Sequence, residues 1–332
     1  MDVTVTYMAV TKPDYGYFSY DNTTQPCDEE ELWLQGFYTV FRPVLHSLIF
    51  LLGLAGNGLM VAVLLGRRRR LRISEIYLLH LALADLMLIF TLPFYLVESI
   101  TSWIFGDFLC MLTGVLRNLN LLCGSFLLAC IGFDRYLAIV HAIPSMRSRR
   151  PKRVHLMCGS LWLICLLLSL PNAVFLSVTK VLHHVSFFVS LAVMCYCYTA
   201  LVITLFKSQK SQAKKGAIRL ALLVTVVFCF CWLPHNITSL LKTLEDLEIT
   251  PEVSCRSRAL LNQVDAVTES LGISHCCLNP FLYAFVGVQF RNELLHLLCR
   301  LGCRRCCLAF IRAQDYRPSV SDGTTSNSTI MY

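Results

Sequence analysis

Hydrophobic positions in this chain do not alternate with polar ones but gather into seven long runs divided by short polar stretches. The runs cover Val40 to Leu65, Ile76 to Val97, Leu109 to Val140, Leu156 to Val178, Val185 to Phe206, Ile218 to Leu241 and Val264 to Val286. Each has the ~20 residues that an α-helix needs to cross a ~30 Å hydrocarbon layer. Only helices or closed barrels satisfy every backbone N–H and C=O without water, and the absence of a period of two argues against a barrel. The pattern therefore predicts membrane-spanning helices. A soluble bundle would carry charges every few residues on its outer faces, whereas Leu78 to Val97 carries only Asp85.

Charge gives the orientation. The first, third and fifth connections hold Arg67–Arg70 and Arg72, then Arg147, Arg149, Arg150, Lys152 and Arg153, then Lys207, Lys210, Lys214, Lys215 and Arg219. Basic residues close to a span stay in the cytoplasm, so these connections face inward. Ahead of the first span Lys12 is outnumbered by Asp2, Asp14, Asp21, Asp28 and Glu29–Glu31, and the second connection carries Glu98 and Asp107 without a cation. The N-terminus is expected outside. Residues 1–36 hold no signal-peptide apolar core, so the first span is expected to start insertion.

Composition agrees: 56% of the 332 residues are hydrophobic, 15% are charged and the mean hydropathy is +0.60, beyond the usual range of a soluble domain. The net charge of +8 gathers at the cytoplasmic rim, where membrane lipid rather than nucleic acid is the expected partner. Most of the 17 cysteines lie within spans, Cys123, Cys130, Cys165, Cys195 and Cys229 among them, and read as small apolar packers. Cys27, Cys110 and Cys255 fall on the oxidising side, and an odd number leaves one without an intramolecular partner.

Polar motifs sit inside or at the ends of these runs. Asp134-Arg135-Tyr136 closes span three, Leu81-Ala82-Leu83-Ala84-Asp85 lies in span two, Cys231-Trp232-Leu233-Pro234 in span six, and Asn279-Pro280-Phe281-Leu282-Tyr283 in span seven. A carboxylate at membrane depth is costly, so Asp85 should face inward and meet Asn57, Asn120 and Asn279 or a cation. Pro234 and Pro280 each remove a helical hydrogen bond and give spans six and seven a bend about which their inner ends can swing. With Gly56-Asn57 and Trp162, this ordered set resembles the signature of rhodopsin-like G-protein-coupled receptors.

Thr91-Leu92-Pro93, the run Asp134 to Ala142 and His275-Cys276-Cys277-Leu278-Asn279-Pro280 are similar to chemokine-receptor motifs, closest to CXC chemokine receptors of types 3 and 5. The resemblance implies an all-α integral membrane protein: an acidic extracellular arm over residues 1–36, a seven-transmembrane helix bundle over 37–288, and a cytoplasmic segment over 289–332 that opens with a short amphipathic eighth helix. It implies a plasma-membrane receptor, not an enzyme, that binds a small basic chemokine outside, activates an inhibitory-type heterotrimeric G protein inside and directs leukocyte chemotaxis. Receptor kinases and arrestin are further implied partners, with membrane lipid around it and no nucleic acid. The activation residues implied are Asp134, Arg135, Tyr136, Tyr198, Trp232, Pro234, Asn279, Pro280 and Tyr283. No organic cofactor is implied; an allosteric sodium ion is expected beside Asp85, Asn120 and Asn279, although Gly124 stands where related receptors place a hydroxyl.

Span seven has no lysine for a retinal Schiff base, and span three offers Arg117 rather than the acid that small amines require. The ligand-binding residues expected are Tyr15, Tyr17 and Tyr20 on the arm, and Glu98, Trp103, Arg117, Asp265 and Glu269 at the mouth, where Arg117 can face Glu269. The three tyrosines lie among Asp14 and Asp21, a setting suited to sulfation, and an acidic arm would speed encounter with a basic ligand. Asn22-Thr23-Thr24 is the outward sequon.

Two departures stand out. Similar receptors staple span three to a Cys in a long loop between spans four and five; here the expected connection is only Thr179 to His184, without a Cys. Cys110 is then left unpaired, and Cys27 with Cys255 can join the arm to the last outer connection. Ser190 stands where span five normally has a proline. A lineage that lost the loop and a coding sequence lacking a piece both account for this, so a non-signalling chemokine scavenger and a loop-deleted non-functional isoform are the alternative functions. Near the C-terminus, Cys299, Cys303, Cys306 and Cys307 beside Arg300, Arg304 and Arg305 suit palmitoylation, and the Ser/Thr-rich tail suits phosphorylation.

Overall fold

The computed structural model describes the backbone of residues 36–66, 71–139, 151–170, 176–207, 212–247, 249, 255–286 and 299. A π-helical turn, Phe37–Phe41, leads into α1 (Arg42–Leu65), α2 (Ile73–Ile89), α3 (Leu92–Ile100), α4 (Gly106–Ile139), α5 (Pro151–Ser169), α6 (Leu176–Lys207), α7 (Gln212–Asp246) and α8 (Cys255–Val286). No strand occurs among the described residues. Helices α2 and α3 together make span two, and α4 to α8 are spans three to seven.

Span two is two helices because Pro93 has no N–H to donate to the Ile89 carbonyl four residues back, and its ring crowds that carbonyl. The chain turns at Phe90-Thr91, where Thr91 Oγ1 donates to the Leu88 carbonyl at 2.6 Å.

The largest departure from the sequence pattern is in spans four and five. Span four ends at Ser169 rather than near Val178, since Pro171 follows two residues later. Span five begins at Leu176 rather than Val185, so Thr179 to His184, expected as a connection, are helical turns of α6. No Gly or Pro interrupts 176–207, and the polar side chains have partners on α7: Lys180 Nζ donates to Asp246 Oδ2 at 2.7 Å, and His184 Nε2 lies 3.1 Å from Thr243 Oγ1. Span seven likewise starts nine residues early, at Cys255.

The helices form a closed bundle. α1 packs between α2 and α8, α8 lies along α7, α7 along α6, and α4 runs through the middle against α2, α5, α6 and α7. The core holds Ile76, Leu81, Leu88, Leu122, Leu127, Phe187, Phe228 and Trp232. Large apolar side chains cover the outside, Leu156 at 73% and Phe230 at 69% exposure, as a surface facing hydrocarbon requires. Among the described residues six spans are apolar and long enough to cross a membrane, and α8 differs in carrying Arg256, Arg258, Asp265 and Glu269 in its first half. The end of the bundle holding those charges, where the charge pattern places the N-terminal arm, is called the outer end below.

Candidate functional site: an outer charge cluster above a buried polar core

Four helices bring charge together at the outer end. Arg117 on α4 forms an ion pair with Glu269 Oε1 on α8, and Arg42 Nη2 at the start of α1 donates to Glu269 Oε2 at 3.3 Å. Arg117 Nη2 also donates to Tyr95 Oη at 3.2 Å, its guanidinium 5.3 Å from the ring centre. Glu98, one turn along α3, lies within electrostatic reach of both arginines. The expected meeting of Arg117 and Glu269 is thus what the fold produces. Arg42 and Tyr95 were not foreseen, because a single cation at the start of a span reads as an interface anchor.

Asp265 sits one turn before Glu269 and belongs to a second group. Its carboxylate accepts from Lys242 Nζ at 3.0 Å and Thr238 Oγ1 at 2.8 Å, and His235 Nδ1 lies 3.1 Å away. Trp103 donates from Nε1 to the Gly106 carbonyl at 2.8 Å, a turn that Gly106 allows at φ +76°, and its ring meets the edge of Phe105. The ring thereby shapes the rim rather than the charge cluster.

Beneath this lies the buried polar core. Trp232 Nε1 on α7 donates to His275 Nδ1 at 3.0 Å, and His275 Nε2 lies 3.2 Å from Asp85 Oδ1. Asn120 Nδ2 donates to Asp85 Oδ1 at 3.2 Å, Asn279 Nδ2 to Asp85 Oδ2 at 2.8 Å, and Cys276 Sγ lies 3.6 Å from Oδ1. Asp85 therefore meets Asn120 and Asn279 as expected, but not Asn57, whose Nδ2 donates to the carbonyls of Gly53 and Cys276. His275 and Cys276 escaped the sequence reading. The available signal was spacing: His275 precedes Asn279 by four residues, one helix face.

The sodium ion implied for this place is a hard cation that takes oxygen ligands. Both Asp85 oxygens already face N–H or ring-nitrogen groups, sulfur adjoins Oδ1, and Gly124 supplies no oxygen. A Cβ at position 124 would come within 2.9 Å of the Phe228 ring, which fills that space. The oxygens left for such an ion are the Asp85 carboxylate and the amide oxygens of Asn120 and Asn279, which are buried without a hydrogen-bond partner.

At the inner end Asp134 is buried and Arg135 half-buried on the last turns of α4. Tyr136 Oη lies 3.1 Å from Tyr196 Oη on α6, and Thr225 Oγ1 on α7 donates to Tyr198 Oη at 3.0 Å. Gly132 lets the Tyr198 ring lie against α4, 3.0 Å from where a Cβ would stand. Pro234 and Pro280 lie inside their helices, as the motifs require.

A charge cluster at the outer end thus lies over a separate buried polar core in a seven-span bundle, and comparison with known proteins identifies the group. The chain matches the description 7 transmembrane receptor (rhodopsin family) over residues 56–184 and 176–283. It is 42% identical to the C-X-C chemokine receptor type 3 of Homo sapiens over 315 residues, 87% of this chain and 84% of the relative. The chain belongs to the rhodopsin family of receptors, among the CXC chemokine receptors. It is also 39% identical to the C-X-C chemokine receptor type 5 of Rattus norvegicus over 333 residues, 91% of this chain and 88% of the relative, and 41% identical to the type 3 receptor of Bos taurus over 309 residues, 86% and 83%. The receptor is a multi-pass membrane protein.

Several expected sites lie outside the described residues: Tyr15, Tyr17, Tyr20, Asn22 and Cys27 on the arm, the eighth helix, and Cys303, Cys306 and Cys307. The side chains of Cys255 and Tyr283 do so too, and Cys299 is half-buried. Cys110 is a free thiol, in keeping with the missing loop cysteine.

Proposed function

We propose that this receptor binds a small basic chemokine at its outer end and activates an inhibitory-type heterotrimeric G protein at its inner end, in the plasma membrane of leukocytes, to direct chemotaxis. The observation that carries the reading is the charge cluster of Glu269, Arg117 and Arg42 on α8, α4 and α1, with the Trp232–His275–Asp85 chain deeper in the same bundle. Glu269 holds two arginines, so a cationic ligand group that competes for it releases positive charge at the mouth. Such a competitor loosens the joint between α1, α4 and α8, which are the helices those three residues occupy.

In this reading Trp232 stands between ligand and core, and Pro234 gives the inner half of α7 a bend about which to move. Arg135 at the end of α4 then becomes available in a cleft rimmed by the basic connections, where a G-protein α subunit docks. The acidic arm, with Tyr15, Tyr17 and Tyr20 sulfated and Asn22 glycosylated, captures the chemokine first. Palmitates on Cys299, Cys303, Cys306 and Cys307 hold the eighth helix to the inner leaflet, and tail phosphorylation recruits arrestin.

The test is cyclic AMP in cells expressing this chain with its N-terminus tagged, challenged with a panel of labelled CXC chemokines. The reading expects surface tag, saturable binding of one or more chemokines and a fall in cyclic AMP. Binding with internalisation but no cyclic AMP response assigns the chain to the scavenger class.

A further inference from the structure

We propose that Arg42 and His46, on successive turns of α1, form a subsite for a ligand carboxylate beneath the outer charge cluster. This subsite rests on the reading of that cluster as a ligand mouth, and it adds the class of group received there. His46 is 1% exposed, and neither of its ring nitrogens has a hydrogen-bond partner. The other buried histidines among the described residues are held, His184 by Thr243 and His275 by Trp232. A neutral imidazole carries one N–H and one lone pair, and leaving both bare in the interior is costly. Two bare nitrogens mark a place for a polar group that the chain itself does not supply.

Arg42 carries the complementary gap. It precedes His46 by four residues, so the two side chains share one face of α1. Its Nη2 donates to Glu269 Oε2 at 3.3 Å, longer than the roughly 2.7–2.9 Å usual for a charged pair, while Arg117 takes the other oxygen of that carboxylate. Its Nε is buried without a partner. Two guanidiniums thus share one carboxylate in contact, and a positive charge is left to be met. Glu98 is within electrostatic reach of both arginines, yet Arg42 Nε is not bonded to it.

A carboxylate answers both gaps. One oxygen accepts from Arg42 Nε–H and the other from an N–H of His46. Water fits the same donors but brings no negative charge to the second guanidinium. Arg42 and Arg117 lie within electrostatic reach of His46, which has no acceptor of its own, so the ring rests neutral. A bound carboxylate supplies that acceptor and lets the ring take up a proton, which makes binding tighter as pH falls. The other charged or titratable groups around the pair are Tyr38 before α1, Tyr95 and Glu98 on α3, Arg117 on α4 and Glu269 on α8. Among these residue types and histidine, only histidine ordinarily titrates between pH 6 and 8. The carboxylate can belong to a small diffusing acid or to an acidic residue of a peptide ligand; its partners are the same.

The experiment titrates purified full-length receptor in lipid nanodiscs with sodium 3-phenylpropionate at constant ionic strength and follows the unfolding temperature, with 3-phenylpropionamide as the uncharged match. Neither chemokine nor G protein is present, so failure here and failure of the signalling reading are separate results. The acid should raise the unfolding temperature saturably and the amide should not. Binding should be at least about tenfold tighter at pH 6 than at pH 8. His46→Gln keeps an N–H donor that does not titrate, so it should bind without that pH dependence. His46→Leu, and Arg42→Lys, which keeps the charge but has no Nε, should each weaken binding at least about tenfold. Arg258→Ala, at the rim and paired with Glu245, should change nothing. A labelled chemokine displaced by the acid makes the chemokine the source of the carboxylate, and one that stays bound makes it a free acid; the subsite stands in both cases. No shift with the acid leaves a buried water only, equal shifts with acid and amide leave an apolar pocket, and binding seen only in Glu98→Gln leaves an arginine already served by Glu98. Each of these overturns the proposal, as does a pH dependence that survives in His46→Gln.

Discussion

Replacing Gly272 with alanine drives a methyl group into the indole of Trp232. A Cβ at 272 would stand 2.6 Å from Cε3, 2.7 Å from Cζ3 and 3.0 Å from Cδ2 of that ring, where carbon atoms rest at about 3.5–4.0 Å. The ring must retreat by about 1 Å, and it is fully buried. Overpacking of this kind costs ~1–3 kcal/mol. Retreat also breaks the Nε1 bond to His275, another ~1 kcal/mol. The resting arrangement therefore loses ~2–4 kcal/mol, or a factor of about 30 to 700 against any arrangement in which Trp232 has already moved.

Two assays read this. Unfolding of the purified receptor should begin at lower temperature, and basal cyclic AMP in transfected cells should fall below the wild-type level without ligand. A double-mutant cycle separates the clash from loss of glycine itself: in a Trp232→Leu background, Gly272→Ala should cost almost nothing, giving a coupling of ~1–3 kcal/mol. An equal cost in both backgrounds would sink the argument, because the loss would then owe nothing to the indole.

Other consequences can be checked singly. Glu269→Gln leaves Arg42 and Arg117 facing each other, whereas Arg117→Ala leaves Glu269 with Arg42, so the first should lower chemokine affinity and thermal stability more; the opposite order refutes the shared pair. Gly124→Ser should destabilise by ~1–3 kcal/mol through the Phe228 ring, and Phe228→Leu should relieve it, as melting curves of the four variants would show. Arg135→Ala should abolish the cyclic AMP response while chemokine binding persists; an unchanged response removes Arg135 from its assigned role. Cys110 should react with a membrane-impermeant maleimide on intact cells, and a blocked thiol there would show that it has found a partner.

Hydropathy was enough to find every span, because a membrane leaves the backbone few alternatives. It failed at Thr179 to His184, where six residues with two histidines and a lysine look like a loop until Asp246 and Thr243 of α7 are seen beside them. The cost of an unpaired charge in hydrocarbon made Asp85 with Asn120 and Asn279 legible, and the same reasoning paired Arg117 with Glu269. It could not find Arg42, which lies more than two hundred residues from Glu269 in sequence and meets it only because α1 closes the bundle against α8. His275 stood in a quoted motif but without a role, since a histidine on a buried face is usually only packed; its place between Trp232 and Asp85 depends on how α2, α7 and α8 approach.

The close seating of Gly56 on Pro280 limits how the last helix can travel. A Cβ at 56 would lie 2.8 Å from both Cβ and Cγ of the proline ring, so α1 and α8 touch at the very residue where α8 lacks a backbone hydrogen bond. That spot works as a fulcrum: below it the helix is free to tilt, but sliding along its own axis would ram the proline into the neighbouring backbone. A bulkier side chain at 56 would shift the pivot itself and change the direction in which the inner end of α8 can swing.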